Sequence, residues 1–314
     1  MTTSLYAVEW EHLPPLPEPN GGFVCGAHHG AIYVIGGTNW KDGTKHWLDA
    51  VRSYDPGTKK WTLHDGRQRI AYAVTADWPL GRPDPRLTWI GGFDGSAGVK
   101  SCGDLCDQST IASRPLVLPD ATVLCAGGRV GDRFVIVGGT NDPANVAGFA
   151  RTATMIEMPL KTTPLPEYPG KAFGTAASAV AGDELFVFGG GNWDAAASAV
   201  VNANEAHAFS VKSRIWRALE PLPFAARGMA AVALDEHRIY LGGGYKTNPE
   251  GFTADAFIYD VKTGCYTAAK PVPYAAMVTL VKLDGFVYCL GGEDRMKHRT
   301  DACFRIAVSA LMGG

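Results

Sequence analysis

The chain has 314 residues, 46% hydrophobic and 19% charged, with a net charge of −2. That composition excludes a disordered chain, and it offers no basic field for nucleic acid and no polybasic run for a membrane surface. No apolar window of about 18 residues is present to span a bilayer, and the abundance of glycine suits many tight turns better than a few long helices.

The start, Met1 to Trp10, lacks a basic n-region and an apolar h-region, which predicts no signal peptide and a cytoplasmic location. From Trp10 to Pro17 (WEHLPPLP) runs the pattern of an outer strand with a Leu-Pro exit. A short apolar strand ending in Gly-Gly then recurs six times. The copies are Ile32–Gly37 (IYVIGG), Leu87–Gly92 (LTWIGG), Phe134–Gly139 (FVIVGG), Leu185–Gly190 (LFVFGG), Ile239–Gly243 (IYLGG) and Val287–Gly292 (VYCLGG). Each run is too short for a helix and rich in β-branched and aromatic residues, so each predicts a buried strand.

Around each Gly-Gly a four-strand unit is legible. A small-residue strand precedes it, as in Gly228–Leu234, and a strand ending in Tyr-Asp follows it, as in Val51–Asp55 and Phe257–Asp260. A turn comes next (Pro56-Gly57, Thr263-Gly264), then an outer strand with an aromatic (Trp61, Trp216, Tyr266) and an exit such as Leu222-Pro223. Four antiparallel strands per unit make a propeller blade. Blades two and three are degenerate: their outer strands, expected near Ile111–Leu118 and Thr154–Pro159, lack the tryptophan. After the last Gly-Gly one strand remains, Ala302–Val308, so the N-terminal segment is expected to complete blade six and close the ring. With no linker or composition shift, the expectation is all-β, one six-bladed propeller domain over residues 1–314.

In such blades the loops after each Gly-Gly and the connections between blades share one face. The loops Thr38–Leu48, Phe93–Gly103, Thr140–Ala150, Gly191–Ala203, Gly244–Thr253 and Glu293–Asp301 therefore crowd one end of the channel. The second residues after the Gly-Gly pairs, Asn39, Asp94, Asn141, Asn192, Tyr245 and Asp294, form a polar ring there, or serve only as turn formers. Trp40, Trp47, Trp193 and Tyr245 offer flat faces for a sugar, or pack between loops. Seven scattered cysteines read as free thiols; Cys102 and Cys106 lie four apart, but no second pair completes a tetrahedral zinc site.

The spacing of about 50 residues resembles the kelch repeat. The last loop, Gly291–Asp301 (GGEDRMKHRTD), resembles the Gly-Glu…Arg-Thr-Asp signature of the kelch-type sialic acid mutarotases, also called N-acetylneuraminate epimerases. Gly36–Val51 (GGTNWKDGTKHWLDAV) resembles the first-blade segment of their cyclically permuted members, although Trp40-Lys41 replaces the usual Phe-Pro. The resemblance implies an isomerase that opens and recloses an acidic sugar by acid–base catalysis, without cofactor or metal. Glu293 would move the proton and Arg299 would clamp the sugar carboxylate, with Asn39, Trp47, Asn141, Asn192, Arg227 and Tyr245 lining the substrate site. Arg227, at the start of an inner strand, either contacts an anion or binds neighbouring carbonyls; Lys45 and Lys246 are weaker candidates.

The alternative is a non-enzymatic kelch propeller that binds a carbohydrate or peptide at the channel mouth. A copper oxidase would need two histidines, two tyrosines and a tyrosine–cysteine crosslink. His28 and His29 are adjacent, and neighbours on a strand point opposite ways. Glu293, Asp294 and His298 do not match the spaced triplet of an iron-dependent specifier protein.

Overall fold

The computed structural model describes residues 9–78, 86–107, 109–118 and 122–312, so the segment read for an export signal falls mostly outside them. Six four-stranded antiparallel sheets form a six-bladed β-propeller. In blade one the strands are Val24–His28, Ala31–Ile35, Ala50–Asp55 and Lys60–Arg67, numbered outward from the channel. The inner strands touch neighbour to neighbour around the ring, and Val24–His28 meets Met277–Leu283 of blade six.

The N-terminal strand does complete the last blade. Glu11–His12 pairs with Cys303–Ala307, placing Glu11 opposite Arg305. Glu11 also bridges to Lys59 of blade one. Trp10 supplies the outer aromatic of blade six, and its indole N–H donates to Pro271 O in the exit of blade five. Trp61, Trp216 and Tyr266 donate in the same way to Pro14, Pro166 and Glu220, each in the exit of the preceding blade. The outer aromatic is thus a repeated tie between blades, and the Leu-Pro exit supplies its acceptor.

The Gly-Gly pairs do the same work at the channel. The second glycine of every pair donates its N–H to the start of the next blade: Gly37 to Ile70, Gly92 to Thr122, Gly139 to Phe173, Gly190 to Ala226, Gly244 to Ala276 and Gly292 to Asn20. Both glycines lie in the left-handed region, for example Gly36 at φ 64° and Gly37 at 98°, which side chains rarely adopt. This register corrects blade five. Its pair is Gly243–Gly244, not Gly242–Gly243, because three glycines stand in a row and Gly242 still belongs to the strand. Blade three is corrected too. Ala153–Glu157 is its third strand, and Lys161–Leu165, beyond the expected Thr154–Pro159, is the outer one.

The described residues share no single core. Each of the six seams between blades holds its own hydrophobic cluster, such as Leu13, Leu16, Ile32, Tyr54, Tyr288 and Leu290 between blades six and one. That is the nearest-neighbour energetics of a repeat fold. The seam between blades one and two ends on His28, which is 6% exposed with an unpartnered Nε2. Contrary to the strand-alternation expectation, the rings of His28 and His29 lie 4.1 Å apart, because His29 has already turned out of the strand at φ 47°.

Burial, then His29 and Arg86, hold the His28 imidazole below its ordinary range, with Asp107 opposing. The folded state therefore resists a proton that the unfolded chain accepts near pH ~6.5. His64 and His207 are shifted the same way, chiefly by burial. Stability should be full above that pH and fall as pH drops through it. Urea midpoints between pH 7.5 and pH 5 will check this, and His28→Phe should remove part of the dependence, leaving the share of His64 and His207.

Candidate functional site

The loop after the Gly-Gly of blade one is not irregular. Thr38–Lys41 and Thr44–Trp47 form a hairpin, and in blade four Gly191–Asp194 and Ala199–Asn202 form another. Blades one and four are opposite in a six-membered ring, so the two hairpins flank the channel mouth. The floor between them is set by residues at the start of each inner strand. Gly22, Tyr72, Leu124, Thr175 and Gly228 all have positive φ. A backbone chain runs from blade to blade: Tyr72 N–H donates to Gly22 O, Leu124 to Tyr72, Thr175 to Leu124 and Gly228 to Thr175. In blade six the strand instead bulges between Met277 and Thr279.

A cavity of about 290 Å³ opens in this floor, lined among others by Gly22, Tyr72, Met277, Glu293 and Arg299. It has room for one side chain or a small acid. The structure does bring Glu293 and Arg299 together, with Arg299 Nη1 2.5 Å from Glu293 Oε2. The two differ in access: the Arg299 side chain is 5% exposed and that of Glu293 27%. Arg299 also donates from Nε to Thr38 Oγ1 at 3.3 Å and from Nη1 to the His298 carbonyl at 3.2 Å. Its stem lies against Gly21, where an added Cβ would stand 2.6 Å from Cδ. Arg299 therefore stitches blade six to blade one as well as facing the cavity.

Tyr72 was not singled out in the sequence. Its hydroxyl stands 3.5 Å from Arg299 Nη2 and 3.4 Å from Thr38 Oγ1. The Lys45 ammonium lies 4.8 Å from its ring centre and 4.9 Å from that of Trp47. Burial raises the Tyr72 phenol pKa, but Lys45 and Arg299 outweigh it, and the net shift is downward. A usable signal was present: Tyr72 and Gly228 occupy equivalent positions, one residue after the blade start that marked Arg227.

Arg227 sits on the blade-five side of the mouth. Its Nη1 donates to Asn202 Oδ1 at 2.7 Å, and its guanidinium lies 4.5 Å from the Tyr245 ring centre. The Asn202 amide in turn donates to Tyr245 O at 2.9 Å. Burial draws the Arg227 pKa down, against Tyr245 and Glu293. Among the described residues no carboxylate lies within 4 Å of Arg227 or of Lys45. Arg227 is thus a semi-buried cation held in place by an amide and an aromatic face.

The polar ring comes apart. Asn39 accepts from Trp40 N, Asp94 from Ser96 and Ala97 N, and Asn141 from the Asn145 amide. The Asn192 amide donates to Ala172 O, and Asp294 meets His298 at 2.5 Å. The side chains of Asn39, Asp94, Asn141 and Asp294 serve local turns, whereas Asn192 reaches back twenty residues to the connection that enters blade four. The corrected blade-five register also moves Tyr245 into line with Thr38 and Glu293 and puts Lys246 in the ring, where it pairs with Asp255. Trp47 packs on Phe93 with ring centres 5.0 Å apart, and Tyr245 packs edge-on against Phe252 at 5.2 Å. Cys102 is buried in the core, and the Cys106 thiol donates to Asp104.

A kelch motif matches residues 19–63, which is the first blade. The chain is similar to the mouse (Mus musculus) Kelch-like protein 35, 31% identical over 142 residues, 45% of this chain and 22% of that protein. It is 40% identical over 67 residues to the human (Homo sapiens) Kelch-like protein 40, covering 21% of this chain and 11% of the relative. To the rat (Rattus norvegicus) Kelch-like protein 22 it is 37% identical over 84 residues, 27% of this chain and 13% of the relative. The matched segments thus span about a fifth or less of these relatives. Among the described residues no helix is long and apolar enough to cross a membrane.

Proposed function

We propose that this kelch-repeat propeller is a non-catalytic binding module that takes an acidic group of a protein partner at the channel mouth. The observation that carries this reading is Arg227. A half-buried guanidinium without a carboxylate is costly to hold, and a partner's carboxylate offsets that cost through charge-assisted hydrogen bonds. Lys45 adds a second cation without a carboxylate within 4 Å above the cavity, whereas the charge of Arg299 is already met by Glu293. The similarity to Kelch-like proteins supports a binding role over a catalytic one.

A linear-peptide display library selected on the full chain tests it. Enriched peptides should carry an acidic residue. Arg227→Ala should weaken their binding by about 10–100-fold, the worth of one charge-assisted hydrogen bond, and leave the melting temperature nearly unchanged. Selected peptides without an acid, or unaffected by the substitution, would remove the basis for this reading.

One observation favours a second reading. Glu293, Arg299 and the Tyr72 phenol meet at one cavity, which is a proton-handling set suited to anomer exchange of an acidic sugar. Exchange NMR on N-acetylneuraminate with catalytic protein decides it: acceleration that Glu293→Gln abolishes supports the mutarotase, and no acceleration leaves the binding module.

A further inference from the structure

The hairpin of blade four ends in an unguarded edge. Gly191–Asp194 and Ala199–Asn202 form a sheet of two strands, and among the described residues no third strand adds to it. From Ala195 to Asn204 the sequence reads AAASAVVNAN, ten residues without a charge or a proline. The opposite hairpin has the same architecture but carries Lys41, Asp42, Lys45 and His46. Proteins guard free edges with such charges, because an edge presents unpaired N–H and C=O groups to any passing chain. Here the guard is missing, and Val201 is 47% exposed.

The register shows which backbone groups face away from the hairpin, those of Val200 on its half-buried edge and those of Asn202 at its buried inner end. Ala203 N–H donates to Gly190 O, and the pairing continues through Val201 opposite Asn192. Alternation then turns the N–H and C=O of Val200 and Asn202 away from the hairpin. A groove of about 510 Å³ lies against the same hairpin, walled by Asn192, Trp193, Val201, Asn204 and Glu205. The inner end of the edge strand is Asn202, whose side chain holds Arg227 at 2.7 Å. A chain paired along this edge toward the channel thus arrives at the Arg227 guanidinium, which has no carboxylate within 4 Å among the described residues.

We infer that Ala199–Asn202 is a docking edge for an extended segment of a protein partner, which adds a strand there and presents an acidic side chain to Arg227. This rests on the binding reading above and names the form of the ligand: uncharged, β-prone residues followed by an acid. Main-chain pairing supplies affinity, and the acid fixes register.

The test uses the library-selected peptides on the full chain. Val200→Pro removes one outward N–H without touching the inward bonds of the hairpin, and Val201→Lys adds the missing guard charge. Each should lower affinity at least 10-fold with an unchanged melting temperature. N-methylation of alternate peptide residues should do the same without altering the protein, so the outcome does not depend on either variant folding. If Arg227→Ala weakens binding but the edge variants and N-methylation do not, strand addition is wrong and the acidic mouth stands. If no linear peptide is selected, both readings fall.

Discussion

Removing residues 1–17 is expected to leave no monodisperse, cooperatively folded protein. The deletion takes away the outer strand of blade six and the Glu11 bridges to Arg305 and Lys59. It also takes Leu13 and Leu16, which are 1% and 3% exposed in the seam between blades six and one. Emptying one buried leucine site costs about 2–5 kcal/mol, so two such losses with an unpaired strand approach the ~5–15 kcal/mol that holds a typical domain. Size-exclusion chromatography and a thermal melt will read the result. A truncated chain that elutes as a monomer and melts where the full chain does would show that the closing strand contributes little.

The second large effect is expected at Arg299. Arg299→Ala should cost about 3–5 kcal/mol, since it strips a buried ion pair of one partner and leaves Glu293 facing the cavity alone. It also breaks the contact from blade six to Thr38 in blade one. Glu293→Gln keeps a hydrogen-bonding end in the same place but leaves the more buried guanidinium without its carboxylate, so it should cost a smaller yet measurable amount. Denaturant unfolding of the two variants separates the roles. A large loss at Arg299 with a small one at Glu293 marks the arginine as a seam residue first. Equal, small losses would return it to the ligand-clamping role that the sequence resemblance implies.

The propeller was legible because it is written in local patterns. Six Gly-Gly signals, alternating strands and outer aromatics each follow from backbone geometry within a few residues. Even ring closure could be inferred, because a blade missing one strand at the C-terminal end and an orphan strand signature at Trp10–Pro17 imply each other. Two slips came where the local signal was ambiguous: three glycines at 242–244 permit two registers, and blade three lacks the aromatic that marks an outer strand. Only the hydrogen bond from the second glycine to the next blade decides the first of these.

The mouth was much less legible. Glu293 and Arg299 sit six residues apart in one loop, so their pairing was within reach of sequence. Tyr72 reaches them from another blade, and Lys45 reaches Tyr72 from the blade-one hairpin. The asparagines were plausible site residues by position, yet Asn39 and Asn141 turn back on their own loops and Asn192 is tied to the Ala172 carbonyl before its blade. Sequence by itself determined the repeat, the blade and its closing strand, because short-range backbone preferences and hydrophobic periodicity set them. Which side chains share the mouth, and which charges there lack a partner, was decided by contacts between residues as far apart as Thr38 and Arg299. Those contacts exist only once the ring has closed.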